Sequence, residues 1–214
     1  MPIIRIPQLA ELDALPRFDG LLPDHIVSPE TCAAFNEAMN DILDWPQVGF
    51  DTESKPTFKV GEVSTGPHLI QFATPERAYL FRVGLDGCMD AARTVLESDR
   101  VLKVGFGLSS DRSRLRSRLN IELRHFIDLG TTLRYQDKKG QVGLRGAAAA
   151  VLGARVSKSR SVSTSNWASR TLSEAQRVYA ANDAYAALRV FLALGDDAEQ
   201  LLADCIIPAV PGNS

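Results

Sequence analysis

The sequence has no long hydrophobic run, little cysteine and no glycine-rich phosphate loop, and each absence removes a class of protein. The longest apolar stretch, Ala147 to Leu152, is far shorter than the roughly 20 residues that cross a bilayer as a helix. The opening segment, Met1-Pro-Ile-Ile-Arg-Ile-Pro7, lacks a charged start followed by a long apolar stretch, so no signal peptide is expected. The three cysteines, Cys32, Cys88 and Cys205, are scattered without metal-site or redox spacing. They read as idle thiols of a reducing, cytoplasmic compartment. Without a Gly-rich loop, nucleotide binding of the P-loop or dinucleotide type has no support.

What is present suits one α/β domain with a full core: 214 residues, 45% hydrophobic and 23% charged. The net charge of −2 does not by itself suggest a nucleic-acid binder, but its distribution does. Arg100 to Arg177 holds 16 Lys and Arg against 5 Asp and Glu, whereas the rest holds 8 against 21. A basic middle in an acidic chain is compatible with a phosphate-binding face. The plainer alternative is that Arg112, Arg114, Arg116 and Arg118 form the wet side of a helix.

Residues 1–24, rich in proline, read as a lead-in draped over the domain, which is expected over 25–195 with a tail at 196–214. His25-Ile-Val27 is expected as a short strand. Ser28-Pro-Glu30 reads as a helix start, with Cys32, Phe35, Met39 and Ile42 on one face of the helix that follows. Strands are expected at 47–53, 68–73 and 78–83, with short links that favour antiparallel pairing. Helices near 88–97 and 110–119 then alternate with strands near 101–104 and 126–129, the pattern of parallel crossover units. The predicted class is α/β, a mixed sheet of five to six strands flanked by helices. Helices are further expected at 131–135, 144–152 and 173–194, the last opened by a capping box, Ser173-Glu-Ala-Gln176. Residues 157–169 read as a Ser-rich surface loop anchored by Trp167.

The candidate chemistry lies in five side chains. Asp51 and Glu53 end an apolar strand, and a period of two puts both on one sheet face. Two adjacent carboxylates repel unless a cation lies between them; the alternative is a strand end with two solvated acids. Asp111 falls in the first turn of a helix, where the helix dipole alone favours an acid. Tyr179 and Asp183 are one turn apart on the last helix, on the face that also carries Gln176. Together these supply oxygen ligands for hard divalent cations and a hydroxyl to position a water, the needs of a two-metal phosphodiester nuclease.

The segments Gly49-Phe-Asp-Thr-Glu-Ser-Lys-Pro56, His68-Leu-Ile-Gln-Phe-Ala73, Lys103-Val-Gly-Phe-Gly-Leu-Ser-Ser-Asp111, Phe126-Ile-Asp-Leu129, Ser165-Asn-Trp-Ala168 and Leu172–Tyr185 occur in a specific order. In this order they resemble the tyrosine-bearing branch of the DEDD superfamily of 3′–5′ exonucleases. That branch includes ribonuclease D and the Werner-syndrome-type exonuclease domain. The resemblance covers about Val27 to Leu194. Arg160 stands where this group often has lysine, and Thr171 where it often has proline. The sister branch has histidine five residues before the last acid; here that position is Val178.

The resemblance implies a ribonuclease H-like fold and hydrolysis from a nucleic-acid 3′ end. Asp51, Glu53, Asp111 and Asp183 match the four metal-binding acids and Tyr179 the tyrosine. Asp51 would bridge two Mg²⁺ or Mn²⁺ ions, with Glu53 and Asp183 completing one and Asp111 holding the other. Tyr179 would orient the attacking water. Thr52, Arg112, Lys158, Arg160 and Trp167 are the candidate substrate contacts. Trp167 is read either as a base-stacking ring or as a core anchor. The alternative to an enzyme is a nucleic-acid-binding or adaptor module that keeps the fold; no membrane and no obligate protein partner are expected.

Overall fold

The computed structural model describes residues 2–198 apart from 6, 8, 58–60, 62, 137, 138 and 158, so Lys158, Cys205 and all residues beyond 198 lie outside the described part. In chain order the elements are β1 (Ile3–Ile4), α1 (Leu9–Ala14), a 3₁₀ turn (Pro23–His25), β2 (Ile26–Val27), α2 (Cys32–Leu43), β3 (Gln47–Glu53), β4 (Leu69–Ala73), β5 (Ala78–Arg82), α3 (Cys88–Leu96), β6 (Leu102–Gly105), α4 (Leu108–Arg114), β7 (Phe126–Asp128), α5 (Leu129–Thr132), β8 (Arg134–Tyr135), α6 (Leu144–Ala147), α7 (Arg160–Ser163) and α8 (Glu174–Ala193). Helices α4 and α6 each run on into a π-helical stretch, Leu115–Leu119 and Ala148–Leu152.

Six strands form one mixed sheet in the order β2-β5-β4-β3-β6-β7. The meander β3-β4-β5 is antiparallel, as its short links require. Strands β6 and β7 add in parallel through helical crossovers, and the short β2 pairs parallel with β5 at the far edge. One face of β3 serves a core, and the other carries Asp51 and Glu53. Val48 and Phe50 join Phe72, Phe81 and the apolar faces of α2 and α3. On the other face, α8 crosses β3, β4, β5 and β6. Ala180, Ala181 and Ala184 there are small enough to bring the helix down onto Leu69 and Leu80. Among the described residues, no helix is long and apolar enough to cross a membrane.

The expected capping box is present: Ser173 Oγ accepts from the Gln176 amide at 3.2 Å, and the Gln176 side chain accepts from the Ser173 amide at 3.0 Å. Two local expectations are corrected. Helix α2 starts at Cys32, not after Ser28; Thr31 is the residue with extended backbone there, and its hydroxyl accepts from the Ala34 amide. The helix expected over 131–135 lies earlier, at Leu129–Thr132, because Asp128 caps it by accepting from the Gly130 amide. Arg134 and Tyr135 instead pair with Ile3 and Ile4. The lead-in lies on the domain through specific contacts. Arg17 bridges Arg155, Leu21 donates its amide to Asn182 Oδ1 at 2.8 Å, and the rings of Phe18 and Tyr185 lie 5.9 Å apart.

Candidate active site

The acids converge at one end of the sheet, where β3 stops, α4 begins and α8 passes over. Asp51 and Glu53 project from the α8 face of β3, as their spacing requires. One carboxylate oxygen from each of Asp51, Glu53 and Asp183 lies within 4.8 Å of the others. Asp111 comes from the first turn of α4, is 5% exposed, and has its Oδ1 bonded by the Thr52 hydroxyl. The Arg114 guanidinium stands 4.0 Å from the same oxygen.

The acids of this cluster act on one another. Burial, and then the charges of Asp111, Asp183 and Glu53, push the Asp51 carboxyl well above the usual carboxylate range; the Thr52 amide, donating to Asp51 Oδ1 at 2.8 Å, pulls the other way. Burial also raises Asp111, partly offset by the Thr52 hydroxyl and Arg114. Tyr179 lies beside the triad and is hydrogen-bonded to Asp183. Burial and then the Asp183 charge push its phenol far above its ordinary value, so it remains a proton donor at neutral pH. Hard carboxylate oxygens crowded together form a donor set for Mg²⁺, Mn²⁺ or Ca²⁺ rather than for soft metals. The residues therefore fit divalent cations. A groove of about 600 Å³ opens beside Tyr179 and Asp183, walled on its far side by Arg17, Phe18 and Arg155.

Residues 26–199 match the family described as 3′–5′ exonuclease. The chain belongs to this family. It is 30% identical over 177 residues to the mouse bifunctional 3′–5′ exonuclease/ATP-dependent helicase WRN, a match covering 80% of this chain but 13% of that protein. It is similar in fold to the exonuclease domain of Aedes aegypti Nibbler, with TM-score 0.73 and 24% identity over 87% of this chain and 98% of that one. It is also similar in fold to Escherichia coli RNase D, with TM-score 0.68 and 19% identity over 84% and 48% of the two chains. These neighbours have the ribonuclease H-like exonuclease fold that the sequence implies.

The exonuclease fold brings Asp51, Glu53, Asp111, Tyr179 and Asp183 to one place; the expected substrate contacts fare differently. Trp167 is 2% exposed, donates its indole N–H to the Ser163 carbonyl at 3.3 Å and packs under α8 with Leu69 and Ala180. Its ring is closed to a base, so it is a core anchor. Thr52 uses both its amide and its hydroxyl on neighbouring acids, which makes it a support for Asp51 and Asp111 rather than a nucleotide contact. Arg112 is paired with Glu122 at 3.3 Å and lies over the Phe126 ring, so its guanidinium is already engaged. Arg160 is exposed at the start of α7, and Lys158 lies outside the described residues.

Sequence reasoning missed one positioning residue. Asp128 accepts from the amides of Gly107 at 2.8 Å and Leu108 at 2.9 Å, and so holds the start of α4, the helix that carries Asp111. Its place in Phe126-Ile-Asp-Leu129, one of the segments that carry the resemblance, was the available signal.

Proposed function

We propose that this exonuclease-family protein hydrolyses phosphodiester bonds from the 3′ end of nucleic acid, and that it belongs to the tyrosine-bearing branch. The observation that carries the reading is the convergence of Asp51, Glu53 and Asp183 oxygens beside the Tyr179 hydroxyl, with Asp111 held next to Asp51. Asp51, Glu53 and Asp183 would hold one Mg²⁺ or Mn²⁺, and Asp51 with Asp111 a second. Divalent cations so held supply water activation and neutralisation of charge on the phosphate and leaving oxygen. The protein's own groups set the rest. Tyr179, kept protonated, orients the water by hydrogen bond rather than acting as a base. Thr52 fixes the rotamer of Asp111, and Asp128 fixes the helix beneath it. The 3′–5′ exonuclease activity in the name of the mouse relative supports this reading, although the chain spans only a small part of that protein.

A non-catalytic module is disfavoured because all five groups are present and meet. A cytoplasmic location belongs to the same proposal, supported by the two described cysteines being free thiols. Product analysis tests the function. Incubation with DNA and RNA strands in Mg²⁺ or Mn²⁺ is expected to release nucleoside 5′-monophosphates in order from the 3′ end. Internal fragments, or release beginning at the 5′ end, would contradict it.

A further inference from the structure

Three arginines outside the acidic cluster share a second cleft on the same end and face of the sheet. Arg82, Arg170 and Arg177 line a space of about 320 Å³ with Ser28 and one acid, Glu30. An adjoining cleft of about 200 Å³ shares Arg82 and Arg170 and extends to His68. The register fixes where this lies. Glu53 pairs with Leu69, and Leu69 pairs with Arg82, so the three stand in one row across β3, β4 and β5. Directly paired residues share a face, and two strand spacings put Arg82 about 10 Å from Glu53. Along α8, Arg177 precedes Asp183 by six positions, a rise of about 9 Å. Both measures set the cleft beside the acids, within reach of further phosphates of a strand whose 3′ end lies on them.

Among the described residues the cleft sets three arginines against one acid. None of the three arginines makes an ion pair with a carboxylate among the described residues, even though Glu30 borders the same space. By contrast, Arg112, Arg114, Arg116 and Arg124 all lie within 4.0 Å of an acid. Arg82 and Arg177 are half-buried, and Arg177 is anchored by donating Nη2–H to the Ile26 carbonyl at 2.9 Å. Partly buried guanidinium groups that converge without an anion repel one another, and the planar fork suits phosphate oxygens.

We propose that Arg82, Arg170 and Arg177 form a phosphate site for a backbone phosphate of the nucleic-acid substrate, other than the one cut. This rests on the exonuclease reading above. The site would fix the course of the strand past β5 and contribute to the salt dependence of binding.

The test uses the full chain as native protein and as Arg82→Gln, Arg170→Gln and Arg82→Lys variants. Binding of a fluorescent single-stranded oligonucleotide is measured in Ca²⁺ across a salt series. Each Gln variant is expected to bind about tenfold more weakly, and to lower the slope of log K against log salt by about 0.7. Arg82→Lys keeps the charge and most of the slope. Hydrolysis of the p-nitrophenyl ester of thymidine 5′-monophosphate, which has only the phosphate that is cut, should be native in all variants. If the native protein hydrolyses oligonucleotides but the Gln variants bind them with native affinity and slope, the phosphate site is wrong and the exonuclease reading stands. If the native protein hydrolyses neither substrate, the exonuclease reading fails, and this inference with it. Equal loss in Arg82→Lys and Arg82→Gln would mean a packing role and overturn the site. Inorganic phosphate raising the melting temperature of the native protein alone, with oligonucleotide binding unchanged in the variants, would give the cleft to a free anion and overturn the nucleic-acid assignment.

Discussion

Gly49 of β3 lies against the backbone carbonyl of Ala184 on α8 so closely that a Cβ at position 49 would overlap that oxygen. Gly49 stands two residues before Asp51, and Ala184 one residue after Asp183. The contact therefore sets how near these two acids come. Gly49→Ala should push α8 off the sheet, at a cost of about 1–3 kcal/mol. Chemical denaturation should show that loss, and cation affinity should fall with it. A variant with native stability and affinity would mean that the helix can be displaced without moving Asp183.

The Thr52 hydroxyl is a buried donor to Asp111. Thr52→Val keeps the shape and removes the bond. Metal supports of this kind affect affinity by about 10–100-fold. The metal concentration for half-maximal activity should rise by that order, with activity recovering at high Mn²⁺. Unchanged metal dependence would show that Asp111 does not need the bond.

Tyr179→Phe should lower kcat by about 100-fold with KM for oligonucleotide little changed, because a donor that orients the attacking water acts mainly on the way to the transition state. A rise in KM at constant kcat would make the hydroxyl a substrate contact instead.

Lys103 gives a pH prediction away from the site. It is fully buried in β6, donates Nζ–H to the carbonyls of Ser98 and Val101, and burial pulls it from 10.5 down to about 8. Between about pH 8 and 10.5 the unfolded chain thus holds this proton more tightly than the native one. Stability from this group therefore rises with pH across that window. Relative to Lys103→Met, the native protein should gain stability between those limits, measured by urea unfolding at several pH values. A parallel pair of curves would place the ammonium in water.

Much of this was legible in the sequence because the signals are local. The spacing of Asp51 and Glu53, the capping box at Ser173 and Gln176, and the one-turn interval from Tyr179 to Asp183 each follow from the period of the element that carries them. What was illegible depends on distant partners. Two-residue strands such as Ile3–Ile4 and Arg134–Tyr135 have no periodicity, and only their mutual pairing defines them. The burial of Trp167 follows from the course of α8 over the sheet, and the use of Thr52 by two acids from α4 meeting β3. The sequence left Trp167 open between stacking ring and core anchor, and the residues beside Thr52 do not show its partners.

The central claim is that Asp51 and its neighbours perform metal-dependent trimming of a 3′ end. The most direct measurement compares native and Asp51→Asn proteins, purified in parallel, on one 5′-labelled strand with Mg²⁺, Mn²⁺ or excess chelator. The account predicts that the native protein shortens the strand stepwise from its 3′ end only with metal, and that Asp51→Asn is folded but inactive. Native activity that survives chelation, or an Asp51→Asn protein that trims at the native rate, would contradict it.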